Sequence, residues 1–391
     1  MKIVYLGSFR LPNFDAAAAR VLNVARALRL AGHEVRFISW GGEERECDLC
    51  PDGKYRVDGF EYEVTHELDS KDSFFQKLCA KLKRGGKTKK LLQERIGQYD
   101  AIITYNANLA GWLLRFAKKH DVRLISDLTE WYDHNELKVT DWLPYAINMY
   151  CMQKRVKNKI VISHFFDDFY NTTRNIVIPA TCDSSEAKWQ QGAETAREKA
   201  GNYDGITLIY AGNPARKDAV HYAINAVQRL IDEGEKVRFL IVGAERERYL
   251  KNYADLLSKK ELSERIQFLG RVPQDEVPSY YALVDFMVLL REPTRKSNAG
   301  FPTKFSESFT SGTPVIANLT SDLSYYLFDG NTGFVVKEPT EAAIYETIKR
   351  RVLPLSRKNI EEMKRNVKEE AKRLDYHCFM EPLKGFFENL K

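Results

Sequence analysis

Thr207-Leu208-Ile209-Tyr210-Ala211-Gly212-Asn213-Pro214-Ala215-Arg216-Lys217-Asp218 lies just past the middle of a 391-residue chain. It opens with an unbroken apolar run, as expected of a strand buried on both faces of a parallel sheet. Glycine and proline then end the strand, and helix-forming residues follow. The pattern repeats at Arg238-Phe239-Leu240-Ile241-Val242 before Gly243, at Ile266-Gln267-Phe268-Leu269 before Gly270, and at Phe286-Met287-Val288-Leu289-Leu290 before Arg291. It repeats again at Pro314-Val315-Ile316-Ala317 and Phe334-Val335-Val336. Strands alternating with helices predict a parallel sheet covered on both faces.

The first half carries a second series. Ile3-Val4-Tyr5-Leu6 reads as a strand. Asp15 then caps a helix over Ala16 to Leu30, whose Val21, Val24, Ala25 and Leu28 share one face. Gly32 stops that helix, and Val35 to Ile38 is the next strand. Further strands are expected at Ala101–Thr104, Arg123–Ser126, Ile160–Ile162 and Ile176–Pro179. The fold class is therefore α/β, with two doubly wound, Rossmann-like domains. The expected division is 1–185, a polar connection at 186–204, a second domain at 205–355 and C-terminal helices at 356–391 that cross back to the first domain.

Composition narrows the function. The chain has no apolar run of 18 residues, which argues against a membrane-spanning helix. Ile3–Leu6 is too short for a signal-peptide core, and the six cysteines are scattered. A cytoplasmic protein with reduced thiols is expected. The net charge of +6 is mild, and no basic–aromatic pattern resembles a nucleic-acid module. No nucleic-acid partner is expected. Cys47-Asp48-Leu49-Cys50 lacks two further ligands at zinc spacing, so no metal site is expected. Gly7 to Gly32 contains no G-x-G-x-x-G, which argues against nicotinamide dinucleotides.

Ligands of an open parallel sheet bind beyond the carboxyl ends of its strands. In the second domain those positions gather glycines and five basic residues: Arg216, Lys217, Arg291, Arg295 and Lys296. Asn298-Ala299-Gly300-Phe301-Pro302-Thr303-Lys304-Phe305-Ser306-Glu307 follows, with Pro302 suited to a helix start. Lys304 and Glu307 share one face of that helix. The amides of Ala299, Gly300 and Phe301 are expected to be free, and a helix N-terminus with free N–H groups favours a diphosphate. Between Ser73 and Arg95 an apolar face of Phe74, Phe75, Leu78 and Leu82 adjoins basic residues, a pattern that suits an anionic membrane surface.

Gly300-Phe301-Pro302-Thr303-Lys304-Phe305-Ser306-Glu307-Ser308, followed by Ser311-Gly312-Thr313-Pro314-Val315-Ile316-Ala317, resembles the donor-site helix and next strand of family 4 retaining glycosyltransferases. Tyr210-Ala211-Gly212, Leu240-Ile241-Val242-Gly243, Phe268-Leu269-Gly270-Arg271-Val272 and Gly330-Asn331-Thr332-Gly333-Phe334 match other family landmarks in order. The resemblance implies the GT-B fold. It implies transfer of a sugar from a UDP- or GDP-linked nucleotide-sugar, with no further cofactor, to a saccharide or lipid-linked acceptor in surface-polysaccharide synthesis.

It also implies site residues. Glu307 would hold ribose, Lys217 and Arg216 the diphosphate, and Gly270, Arg271 and Val272 the base. Gly212, Asn213, Gly243, Arg291, Ala299, Gly300, Phe301, Pro302, Thr303 and Lys304 complete the donor side. Lys217, Glu307 and Glu130 are the expected catalytic group. Asn13, Phe14, Arg20 and Glu130 are expected on the acceptor side. The chain departs from the family at Ala299, where a glutamate is usual, at Asn213, where arginine is usual, and at Asp218, where glycine is usual. An inactive GT-B scaffold that binds glycan or protein, and a sugar-nucleotide epimerase, are the alternatives.

Overall fold

The computed structural model describes residues 1–12, 15–40, 47–65, 86–106, 110–214, 218–259 and 261–390. The chain forms two compact units, one of residues 1–181 with 376–391 and one of residues 182–375. Sequence places the divisions at 185 and 356. The structure places them at Thr181/Cys182 and Asp375/Tyr376.

Among the described residues the first unit holds a nine-stranded sheet. Its strands are β1 (Lys2–Gly7), β2 (Glu34–Ser39), β3 (Asp48–Leu49), β4 (Tyr55–Val57), β5 (Phe60–Val64), β6 (Ala101–Tyr105), β7 (Arg123–Leu128), β8 (Asn158–Val161) and β9 (Arg174–Val177). Their order is β3-β4-β5-β2-β1-β6-β7-β8-β9. From β5 to β9 the neighbours are parallel, while β3, β4 and β5 pair antiparallel at one edge. On β1, Ile3 and Tyr5 pack into one apolar core, and Val4 and Leu6 into another on the opposite face. This double covering is why the strands read as continuous apolar runs. The helix Ala16–Leu30 begins as expected, with the Asp15 carboxylate accepting the Ala18 amide at 2.8 Å.

The second unit holds β10 (Ile206–Ala211), β11 (Val237–Val242), β12 (Ile266–Phe268), β13 (Phe286–Leu289), β14 (Val315–Ala317) and β15 (Gly333–Val335). All are parallel, in the order β12-β11-β10-β13-β14-β15. This is the doubly wound 3-2-1-4-5-6 arrangement. Its crossovers reverse between β10 and β13 and leave a crevice at their carboxyl ends.

The C-terminal helices divide between the units. Arg357–Ala371 belongs to the second, where Ile360 and Met363 join its core. Met380–Glu388 belongs to the first, where Leu383, Phe386 and Phe387 are buried. The Arg174 guanidinium lies 5.4 Å from the Phe386 ring centroid. Replacing Phe386 with alanine is expected to cost the first unit about 3–5 kcal/mol. Urea denaturation followed by intrinsic fluorescence reads this loss; an unchanged first transition would mean that the helix is not docked.

Candidate functional site

At the carboxyl ends of β10, β11 and β12 the backbones come very close. Gly212 donates its amide to Val242 O at 2.8 Å, and Gly243 donates to Gly270 O at 2.7 Å. A Cβ on Gly243 would lie 2.5 Å from Gly212 O, and its φ of +103° disfavours any side chain. Gly212 is constrained differently. A methyl there would overlap Cε of Lys304, whose stem crosses the loop at that point.

Lys304 is the second residue of the helix Thr303–Thr310. Its Nζ donates to Asp218 Oδ2 at 2.8 Å. The Tyr210 hydroxyl donates to the same oxygen at 2.6 Å, and Arg291 Nε lies 3.4 Å from Asp218 Oδ1. Asp218, Tyr210 and Arg291 are buried, while Lys304 keeps 20% of its side chain exposed. Burial raises the Asp218 carboxyl, but Lys304 and Arg291 outweigh it and hold it below the usual carboxylate range. Burial also lowers the Arg291 pKa, against the opposing charge of Asp218. The two cations expected to face a ligand therefore share one internal carboxylate.

The segment before this helix differs from expectation. Arg295–Ala299 is itself a short helix, closed by a reciprocal capping box between Thr294 and Ser297. The Gly300 amide is consumed by Lys296 O at 3.2 Å, so it is not free. Ala299 and Phe301 are buried, and Phe301 packs edge-on against Phe305 and Tyr326. Their side chains therefore belong to the core. Pro302 is the N-cap of Thr303–Thr310, with no side-chain hydrogen bond closing that helix start. Thr303 is half-buried beside it.

Glu307 lies one turn further along. Among the described residues its carboxylate accepts no hydrogen bond, and burial raises its pKa against the opposing pull of Lys304 and Lys188. Asn213 is exposed, and its carbonyl accepts from Tyr210 at 3.0 Å. Arg271 is exposed and Val272 half-buried after β12. Arg295 is exposed and Lys296 half-buried on the short helix. Arg216 and Lys217 lie outside the described residues. A separate cavity of about 470 Å³ opens at the amino ends of the strands. Its Arg238 donates to Ala200 O and Gly201 O, closing the end of the helix Glu194–Ala200.

In the first unit, Arg20 is not at an open edge. It is buried, pairs with Asp127 through Nη2 at 2.9 Å, and donates Nη1 to Ile178 O and Pro179 O. Burial lowers its pKa, but the pairing with Asp127 and the nearby tyrosines raises it overall. It clamps the chain as it leaves β9. Glu130 stands exposed just beyond β7 and accepts from the Tyr132 hydroxyl. Beside it, Asn106 and Thr129 exchange two hydrogen bonds of 2.7 and 2.9 Å, and Thr129 donates to Tyr105 Oη at 3.1 Å. Sequence did not single out Tyr105, Asn106, Thr129 or Tyr132. Their positions just past strand ends were the available signal. Asn13 and Phe14 lie outside the described residues, as does the part of the basic stretch at 73–85. Gly86–Arg95 is a helix that buries Thr88 and Leu92.

Two parallel-sheet units, the second with a glycine-lined, cationic crevice at its switch point, define a GT-B fold. Residues 205–352, the second unit, match the family Glycosyl transferases group 1. Alpha-D-kanosaminyltransferase of Streptomyces kanamyceticus is 28% identical over 140 residues, which are 36% of this chain and 34% of that protein. The match thus spans about a third of that relative. Sucrose-phosphate synthase from Thermosynechococcus elongatus superposes with a TM-score of 0.73 at 15% identity, covering 99% of this chain and 98% of the other. HepE of Anabaena, solved with UDP and glucose, superposes with a TM-score of 0.71 at 17% identity over the whole of both chains.

Glu307 supplies a stability test. A raised carboxyl pKa means that ionisation favours the unfolded chain, so this residue costs stability as pH rises above the usual carboxylate range. Glu307→Gln is expected to melt above the parent protein at pH 7, with the difference closing at pH 4. Equal melting temperatures at both pH values would show that the carboxylate is solvated.

Proposed function

We propose that this protein transfers a sugar from a nucleotide-sugar donor to a glycan or lipid-linked acceptor, with retention of anomeric configuration and without a metal ion. The observation that carries the reading is the partly open Lys304 ammonium, held at the switch point beside an unsealed helix start and the Glu307 carboxylate, which has no hydrogen-bond partner among the described residues. An ammonium and helix amides suit a diphosphate, and an ionised carboxylate suits a pair of ribose hydroxyls. HepE, which shares the fold, was solved with UDP and glucose. In the proposed reaction the bond from the anomeric carbon to the phosphate oxygen breaks. The acceptor oxygen bonds to the same face of that carbon, and its proton passes to the departing phosphate. Lys304 and Lys217 balance the charge that develops on the leaving group, the task that a metal ion would otherwise perform. On the first unit, the exposed Glu130, which accepts from Tyr132, is the candidate for acceptor contact.

Calorimetry against UDP, GDP and ADP tests the reading. One of them is expected to bind, and Lys217→Ala and Glu307→Ala are each expected to lower transfer by about 10²–10³. Acidification toward pH 5 is expected to weaken nucleotide binding by protonating Glu307, and Glu307→Gln should flatten that profile. Binding of none of the three nucleotides would return the chain to the scaffold reading.

The acceptor side supports a further part of this proposal, contact with an anionic lipid surface. No helix among the described residues is long and apolar enough to cross a membrane. Yet Val139, Leu143, Ile147 and Tyr150 are exposed at successive turns of one helical stretch, Val139 by 84% and Leu143 by 61%. Lys138, Lys154, Arg155 and Lys157 flank them against Asp141 alone. Each basic residue near an anionic surface contributes about 1 kcal/mol. The protein is expected to float with phosphatidylglycerol-containing liposomes at low salt, and Leu143→Glu/Ile147→Glu should abolish this. Flotation that survives the double substitution would remove this face from the account.

A further inference from the structure

Asp218 stands where family 4 enzymes usually have glycine, and the structure gives it a definite task. Its carboxylate is buried and carries three partners: Lys304 at 2.8 Å, the Tyr210 hydroxyl at 2.6 Å and Arg291 at 3.4 Å. Two cations and one anion leave a net charge of +1. Without Asp218, Lys304 and Arg291 would lose the one carboxylate that they both contact among the described residues, an arrangement strongly disfavoured in an interior. Lys304 is also held in position. Its stem lies across Gly212, and its ammonium sits 5.3 Å from the Tyr210 ring centroid. Of the two cations it is the more open to solvent.

We propose that Asp218 is an internal counter-anion of the donor site, a positioning residue that holds Lys304 and Arg291 when the crevice is empty and weakens their grip on the nucleoside diphosphate product. This rests on the reading of the crevice as a diphosphate site. A diphosphate that reaches Lys304 comes within a few ångströms of the Asp218 carboxylate. At the effective dielectric near 20 typical of such places, the repulsion lowers affinity by about tenfold or more. The chain thereby trades ground-state affinity for faster release. Release of product often limits turnover once chemistry is fast.

The test is calorimetry on the intact chain with UDP, uridine and inorganic pyrophosphate. Asp218→Asn keeps the shape and a hydrogen-bond acceptor for Tyr210 while removing the charge. It is expected to bind UDP and pyrophosphate about tenfold more tightly than the parent, with a steeper salt dependence and unchanged uridine affinity. It should also melt at a lower temperature when empty and gain more from added UDP. A merely structural Asp218 would lower the melting temperature and leave the ratio of UDP to uridine affinity unmoved, and that result overturns the proposal. Should Asp218→Asn fail to fold, Lys304→Gln serves as the background. There, adding Asp218→Asn restores the net charge to +1 and is expected to tighten pyrophosphate binding; no change or weaker binding refutes the idea. If the parent binds UDP and the variants behave as merely structural, only the role of Asp218 falls. If the parent binds none of the probes, the donor-site reading falls with it.

Discussion

A buried carboxylate that gathers cations around the first strand is the interaction on which both units depend. In the first unit Asp127 accepts the Tyr5 hydroxyl and pairs with Arg20. In the second, Asp218 accepts the Tyr210 hydroxyl and pairs with Arg291 and Lys304. Tyr5 and Tyr210 occupy the central strands β1 and β10, beside each sheet's switch point. A buried ion pair adds little net stability, because desolvation offsets attraction, but losing one partner costs about 3–5 kcal/mol. Such a group therefore fixes geometry more than it strengthens the fold.

The two units use the same device differently. Arg20 spends its remaining donors on Ile178 O and Pro179 O, and Asn23 donates to Thr181 O at 2.7 Å. All of that polarity is closed upon the chain itself. In the second unit Arg291 Nη1 has no hydrogen-bond partner among the described residues, and Lys304 remains partly open. A closed network serves structure, whereas an incompletely satisfied one at a switch point is where ligand chemistry is to be sought.

The α/β layout was legible because burial on both faces writes itself into sequence as short apolar runs. The strands beginning at Lys2, Glu34, Ala101, Arg123, Ile206, Val237 and Phe286 stand within a residue or so of where those runs place them. The edge hairpin from Asp48 to Val64 was not read, although Phe60, Tyr62 and Val64 alternate with Glu61 and Glu63 and are buried in that alternation. Half-buried edge strands give a weaker signal than central ones. The site was legible as positions and less so as contacts. Arg20, Arg291 and Lys304 read as cations free to face a ligand because a linear sequence does not show that Asp127 and Asp218 lie beside them in space. The Gly300 amide read as free because the short helix before it was not anticipated.

Asp218 and Glu307 show how one crevice gives two carboxylates opposite characters. Both are substantially withdrawn from water, which raises a carboxyl pKa. Around Asp218 two cations and a phenol outweigh that effect, so its charge is committed internally. Around Glu307, Lys304 and Lys188 act without a hydrogen bond among the described residues, and desolvation prevails. Lys304 influences both, but it contacts only Asp218. A carboxylate that is costly to ionise and has no partner gains more from incoming hydroxyls than one already satisfied. Under the proposed reading this asymmetry suits the two acids to different parts of a nucleotide-sugar: Glu307 to neutral hydroxyls, and Asp218 to a place behind the cations.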